Sequence, residues 1–201
     1  MLTAMPPVPL DVSAPGRLGV VEAFCNTLDA RSFRTFGIAH EPHDELATPD
    51  QLATWLRRAG LCRRGLRASA ADLRLAGKLR LLLRDEIRRH DEPLPTTGAR
   101  RPRRTDVPRE ILDRLPLRAV VSGGRFELEP VDDGIRGALA AITAIVVTAD
   151  RDGSWQRMRM CAADDCGWVY FDVSRNRSAR WCSMATCGNR EKTRRYRHRT
   201  T

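Results

Sequence analysis

The chain has 201 residues, 42% of them apolar, which suits one hydrophobic core with a small appendage. Its longest uncharged apolar stretch, residues 137–149, is shorter than the roughly 20 residues a membrane-spanning helix needs, and the first residues lack the charged and apolar segments of a secretory signal. The formal net charge is +10 and is uneven: residues 151–201 hold eleven Arg and one Lys against four Asp and one Glu, which points to a polyanionic partner. A cytoplasmic protein without membrane contact is expected.

Residues 1–16, rich in proline and small side chains, read as a disordered leader. Helical periodicity begins near Arg17, where Leu18, Val21, Phe24 and Leu28 recur three and four apart. A polar loop bearing His40 and His43 follows. Thr48, Pro49 and Gln51 then form a helix start of capping-box type, with Leu52, Trp55 and Leu56 as the apolar stripe and Gly60 at the end. Ser69 with Asp72 opens a second such helix, striped by Leu75, Leu79, Leu82 and Leu83 and running to about His90.

Residues 91–108 contain four prolines and almost no apolar side chains, so they read as a linker or mobile loop. The arginines at 100, 101, 103 and 104 fit a solvated charge run better than a phosphate-contacting arm. Two apolar segments around Ser122-Gly123-Gly124 predict a β-hairpin. Asp132 or Asp133 is expected to open the next helix, which carries Ile135, Leu139, Ile142, Ile145 and Val146. The expectation is an α+β fold: a mostly helical domain over 17–150 with a small hairpin, then a separate module over 155–199.

That module holds four of the six cysteines, as Cys161-x4-Cys166 and Cys182-x4-Cys187. Two close pairs separated by a hairpin-sized segment deliver four thiolates to the corners of a tetrahedron, the structural zinc pattern. Two disulfides or a redox relay are the alternatives, and short paired spacing without a secretory signal favours metal. Trp168 to Phe171 has strand composition, and residues after Cys187 are long enough for about three helical turns. The expected order of knuckle, hairpin and helix resembles a treble-clef finger holding one Zn²⁺. Cys25 and Cys62 lie in helical patterns and read as small buried hydrophobes.

Cys187-Gly188-Asn189-Arg190, with Ser174-Arg175-Asn176-Arg177, Arg180-Trp181-Cys182-Ser183-Met184 and Phe171-Asp172, resembles the CGNR zinc-finger family over 161–199. Phe24, Asn26-Thr27 and Leu46-Ala47-Thr48-Pro49 running on to Trp55-Leu56 are similar to its usual companion, the ABATE domain. The resemblance implies a stress-associated bacterial transcription regulator that binds DNA.

A helix beginning near Ser183 would place Arg190, Arg194 and Arg197 on one face, with Lys192, Arg195 and Arg199 on the next. Arg175, Arg177 and Arg180 come from the preceding loop, and Asn176 and Asn189 are candidates for reading a base edge. So many cations on a small module favour phosphate by charge alone, and DNA is the expected partner. Trp181 and Tyr196 are expected in the finger's small core. A second reading is a protein-interaction or RNA-binding module. The first 150 residues show no nucleophile–base pair or open metal site, so no enzyme is expected. They offer instead dimerisation, or a small-molecule effector pocket around Asn26, Asp29, Arg31 and His40.

Overall fold

The computed structural model describes residues 12–35, 37–91 and 109–199, without the side chains of 109, 198 and 199. The predicted arginine run at 100–104 lies outside them. Among the described residues the architecture is α+β, with five α-helices and short antiparallel strand pairs. The helices are α1 (Leu18–Asn26), α2 (Pro49–Arg58), α3 (Ala70–Arg88), α4 (Ile135–Arg151) and α5 (Asn189–Arg199).

The two capping boxes form as their sequences require. The Thr48 hydroxyl accepts from the Gln51 N–H at 3.2 Å while the Gln51 side chain accepts from the Thr48 N–H at 2.9 Å. Ser69 and Asp72 repeat the arrangement at the start of α3. Each cap satisfies N–H groups that a helix start otherwise leaves bare, worth about 1 kcal/mol. The predicted cap of α4 is not used. The helix starts one residue after Gly134, with no side-chain cap, because the chain folds back and sets the Asp132 carbonyl against Gly137.

Helices α1, α3 and α4 pack together, and α2 closes one side with Trp55 against Phe24, ring centroids 5.5 Å apart. Val21, Phe24, Leu52, Leu56, Leu79, Ile87, Leu139 and Ile142 are fully buried, each contributing about 1.5–3 kcal/mol by leaving water. Cys25 joins them, and burial drives its thiol pKa up to about 12, as suits a small hydrophobe. Cys62 is only half-buried.

The loop after α1 contains strands that sequence periodicity did not reveal. β1 (Leu28–Asp29) pairs with β4 (His43–Asp44), and β2 (Arg34–Thr35) with β3 (Ile38–Ala39). Two-residue strands are too short to carry a pattern. Buried Arg80 of α3 anchors this region with bonds to both Asp44 carboxylate oxygens, at 2.7 and 2.6 Å, and to Thr27 at 2.9 Å. The predicted hairpin is β5 (Leu117–Ser122) with β6 (Arg125–Pro130).

The last strand pair departs from expectation. β8 (Val169–Phe171) pairs with β7 (Met158–Met160), which precedes the first cysteines. Met158, Met160, Val169 and Trp155 belong to the same apolar cluster as the helices, while the cysteines gather a second cluster with Ala163 and Tyr170. The end of the predicted leader is also anchored. The Ser13 and Ala14 N–H groups donate to the Glu22 carboxylate, and the Phe171 N–H donates to the Ser13 hydroxyl at 2.7 Å.

Candidate metal centre and its basic helix

Cys161 follows β7 directly, and its N–H donates to the Trp168 carbonyl at 2.8 Å, which folds residues 161–168 into a tight knuckle. Gly167, at φ +63, lets the chain turn from Cys166 into β8. Cys182 and Cys187 come from the other side. Ser183 caps a single wide helical turn, Met184–Gly188, with its hydroxyl accepting from the Thr186 N–H, and α5 continues from it.

The four sulfurs lie within 4.8 Å of one another, with Cys166–Cys182 at 3.8 Å and Cys182–Cys187 at 3.6 Å. A tetrahedron with Zn–S bonds of about 2.3 Å has edges of about 3.8 Å, so the set fits one Zn²⁺. A disulfide would need roughly 2.05 Å. The thiols also disturb one another. The close approach of Cys166 and Cys182 holds Cys161 well below the usual thiol range, while the negative charge there pushes Cys166 and Cys182 up. Four thiolates at this spacing need a divalent cation to balance them. All four predicted ligands are brought together, and they form the metal-ligand group found among the described residues.

Gly188, Asn189, Arg190 and Arg194 each have a local task. A Cβ on Gly188 would stand 2.7 Å from the Met184 sulfur and 3.1 Å from the Trp181 ring, so a larger residue here would push the flexible Met184 side chain aside. The Asn189 side chain donates to the Ala185 carbonyl at 3.3 Å. Arg190 forms an ion pair with Asp165 of the knuckle and lies over the Phe33 ring, 3.4 Å from its centroid. Arg194 pairs with Asp165 at 3.3 Å and with Glu191 at 2.8 Å. On the face predicted to carry Arg190, Arg194 and Arg197, Arg190 is therefore turned inward to a carboxylate, while Arg194 stays exposed and pairs with two.

The remaining cations are placed differently. Arg175, Asn176, Arg177 and Arg180 are exposed on the loop after β8, and Asn189, Lys192, Arg195 and Arg197 are exposed on α5. Fully buried Asp172 shapes that loop, accepting from the Ser174 N–H at 2.8 Å and the Ala179 N–H at 3.0 Å. Although burial opposes ionisation, these bonds hold its carboxyl below the usual range. The Tyr170 hydroxyl donates to the Ala179 carbonyl at 2.5 Å. Tyr196 is 72% exposed and so is not a core residue, whereas Trp181 does pack against the cysteine cluster.

The residues expected to line an effector pocket contact other parts of the protein. Asn26 is buried and exchanges two hydrogen bonds with Val169, at 2.7 and 2.8 Å. Asp29 is tied to Arg31, which lies over the Trp168 ring at 4.0 Å, and His40 packs on Phe33. These residues join the helical core to the knuckle. Arg84, unnoticed in the sequence, does the same: its guanidinium donates to the Cys25 carbonyl at 2.9 Å and the Gly167 carbonyl at 2.8 Å. The signal available in the sequence was an arginine four residues after Arg80, set directly against the apolar run Leu81-Leu82-Leu83. A groove of about 670 Å³ lies instead between α3 and α4, walled by Leu82, Val146 and Trp155 and rimmed by His90, Thr143 and Gln156.

Comparison with known proteins agrees with this arrangement. No curated protein matches the chain. The family model "CGNR zinc finger" matches residues 157–200, across the knuckle, the second cysteine pair and α5. The ABATE model, described as "Putative stress-induced transcription regulator", matches residues 19–165. With nearly three quarters of its length inside that second match, the chain belongs to the ABATE family and ends in a CGNR zinc finger.

Proposed function

We propose that the protein is a zinc-dependent DNA-binding regulator of transcription, acting in the cytoplasm on the nucleoid. The observation that carries this reading is the arrangement around the four cysteines. Exposed Arg175, Arg177 and Arg180 from the loop and Lys192, Arg195 and Arg197 from α5 belong to one small module whose last two ligands start the basic helix. That start supports the treble-clef description. Asn176, Asn189 and Arg199 complete the proposed set of contacts. Arginine forks suit phosphate oxygens and guanine edges alike.

Zn²⁺, held by Cys161, Cys166, Cys182 and Cys187, would supply a structural crosslink. Four thiolates complete its tetrahedron and leave no position for water or substrate, so the proposed role is not enzymatic. Arg190 and Arg194 act in this reading as internal ties that aim α5. A small-molecule effector, if the helical core receives one, has room in the groove between α3 and α4.

The test is fluorescence anisotropy of the zinc-loaded protein with duplex DNA at several salt concentrations. The expected result is a log–log slope of about −3 or steeper, since each neutralised phosphate contributes about −0.9. A flat plot overturns the DNA reading.

A further inference from the structure

The hairpin β5–β6 stands apart from the rest of the surface. Its two faces are segregated: Leu117, Ala119 and Val121 share one side with Pro130, Leu128 and Phe126, their cross-strand partners. The other side carries Arg118 paired with Glu129, then Val120, Glu127, Ser122 and Arg125. The apolar side is half-covered at its base, but at the tip Val121 is 66% exposed and Phe126, opposite it, is 79% exposed. A hairpin with a bare apolar end is marginal on its own in water.

The two outer edges differ. β6 carries Arg125, Glu127, Glu129 and Pro130, the charges and proline by which edge strands avoid pairing. β5, Leu-Arg-Ala-Val-Val-Ser, has one charge, no proline, no glycine and no bulge. Gly123 and Gly124, at φ +55 and +76, make a two-residue turn that closes on the Ser122–Arg125 pair. Alternation from that pair points the N–H and C=O groups of Leu117, Ala119 and Val121 away from β6. Among the described residues no backbone group meets them.

We infer that β5 is a homodimerisation edge, pairing antiparallel with β5 of a second copy about a two-fold axis at Ala119. The strand is self-complementary in that register. Leu117 faces Val121 of the partner subunit, and Ala119 faces its own counterpart, so all three outward residues of each strand find hydrogen-bonding partners. Arg118 then faces Val120 of the partner subunit, and no like charges oppose. The apolar rows run on across four strands, bringing each exposed Phe126–Val121 pair beside a Leu117–Pro130 pair. Charge also selects this site: the hairpin's two arginines and two glutamates cancel, in a chain of net charge +10 whose basic finger would repel its copy. The contact is isologous, the symmetry of most dimers, and holds with or without the DNA reading.

The experiment is sedimentation of the full zinc-loaded chain over a concentration series, without DNA, for wild type, Ala119→Pro and Val121→Lys. Ala119→Pro removes an outward N–H, and Val121→Lys adds a charge at an exposed position. The expected result is a wild-type dimer, with the association midpoint shifted at least about tenfold upward in both variants while circular dichroism stays unchanged. Should Ala119→Pro disturb folding, Val121→Lys decides alone. A wild type that stays monomeric to about 100 μM, or a Val121→Lys midpoint unchanged, overturns the inference.

Discussion

Arg190 of the finger helix and Asp165 of the zinc knuckle form an ion pair that closes the module on itself, and the same guanidinium lies over Phe33 of the helical domain. Asp165 also ties the two parts through its backbone, accepting from the Ser32 N–H at 3.0 Å. One arginine thus sets the direction of α5 relative to both the metal site and the core. An arginine so engaged serves geometry before it serves a ligand.

Arg190→Ala should therefore cost stability, on the order of 1.5–3 kcal/mol for a charged hydrogen bond lost in a half-buried setting. Exposed Arg195→Ala should leave stability within about 0.5 kcal/mol but reduce the salt slope of DNA binding by about 1. Thermal denaturation and anisotropy titrations of the two variants separate the roles. Equal melting temperatures would refute the assignment of Arg190 as a tie.

Cys182→Ser should abolish stoichiometric zinc and melt residues from the loop after β8 through α5. The strands β7 and β8 should survive, because Met158, Met160 and Val169 are packed in the helical core. Zinc content by elemental analysis and hydrogen exchange over 155–199 are the readouts. Retained zinc at one per chain would overturn the ligand set.

Two helix glycines should respond in opposite ways. Gly77 in α3 has nothing within 4 Å of a would-be Cβ, so Gly77→Ala should stabilise by about 1 kcal/mol. At Gly137 in α4 the Asp132 carbonyl oxygen would stand 1.8 Å from the new carbon, so Gly137→Ala must displace backbone and destabilise. Chemical denaturation midpoints test both, and a stabilised Gly137→Ala would contradict the described entry into α4.

His90 gives a pH dependence. Its Nδ1–H donates to the Met158 carbonyl at 2.8 Å, and its ring meets Trp155 edge-on. Burial lowers its pKa, with Arg159 reinforcing the shift and the Met158 bond, Asp91 and Glu86 opposing it. The unfolded chain therefore takes up a proton at higher pH than the folded one. This contribution is fully present above about pH 6.5 and is lost as pH falls through the window below it. Melting temperature should drop between pH 7.5 and 5.5, and His90→Gln should flatten that drop. An unchanged pH profile in the variant would exclude His90 as the source.

Local chemistry made much of this protein readable from its residues. Thr48 with Gln51 and Ser69 with Asp72 announced two helices, because a cap needs only neighbours in sequence. The cysteine spacing announced the metal site, because two short-range knuckles suffice to set four sulfurs. The α+β class, the glycine-turned hairpin and the family resemblance were legible for the same reason.

Tertiary packing decided which way those pieces face. Nothing in the spacing of Arg190 and Arg194 revealed that Asp165, 25 residues before Arg190, would claim both. Asn26 looked like a pocket residue until Val169, 143 positions away, proved to be its partner. The partner strand of β8 and the packing of Trp155, Met158 and Met160 in the helical core are likewise long-range outcomes. A charged side chain takes the nearest opposite charge that burial leaves it, and only the assembled chain determines which one that is.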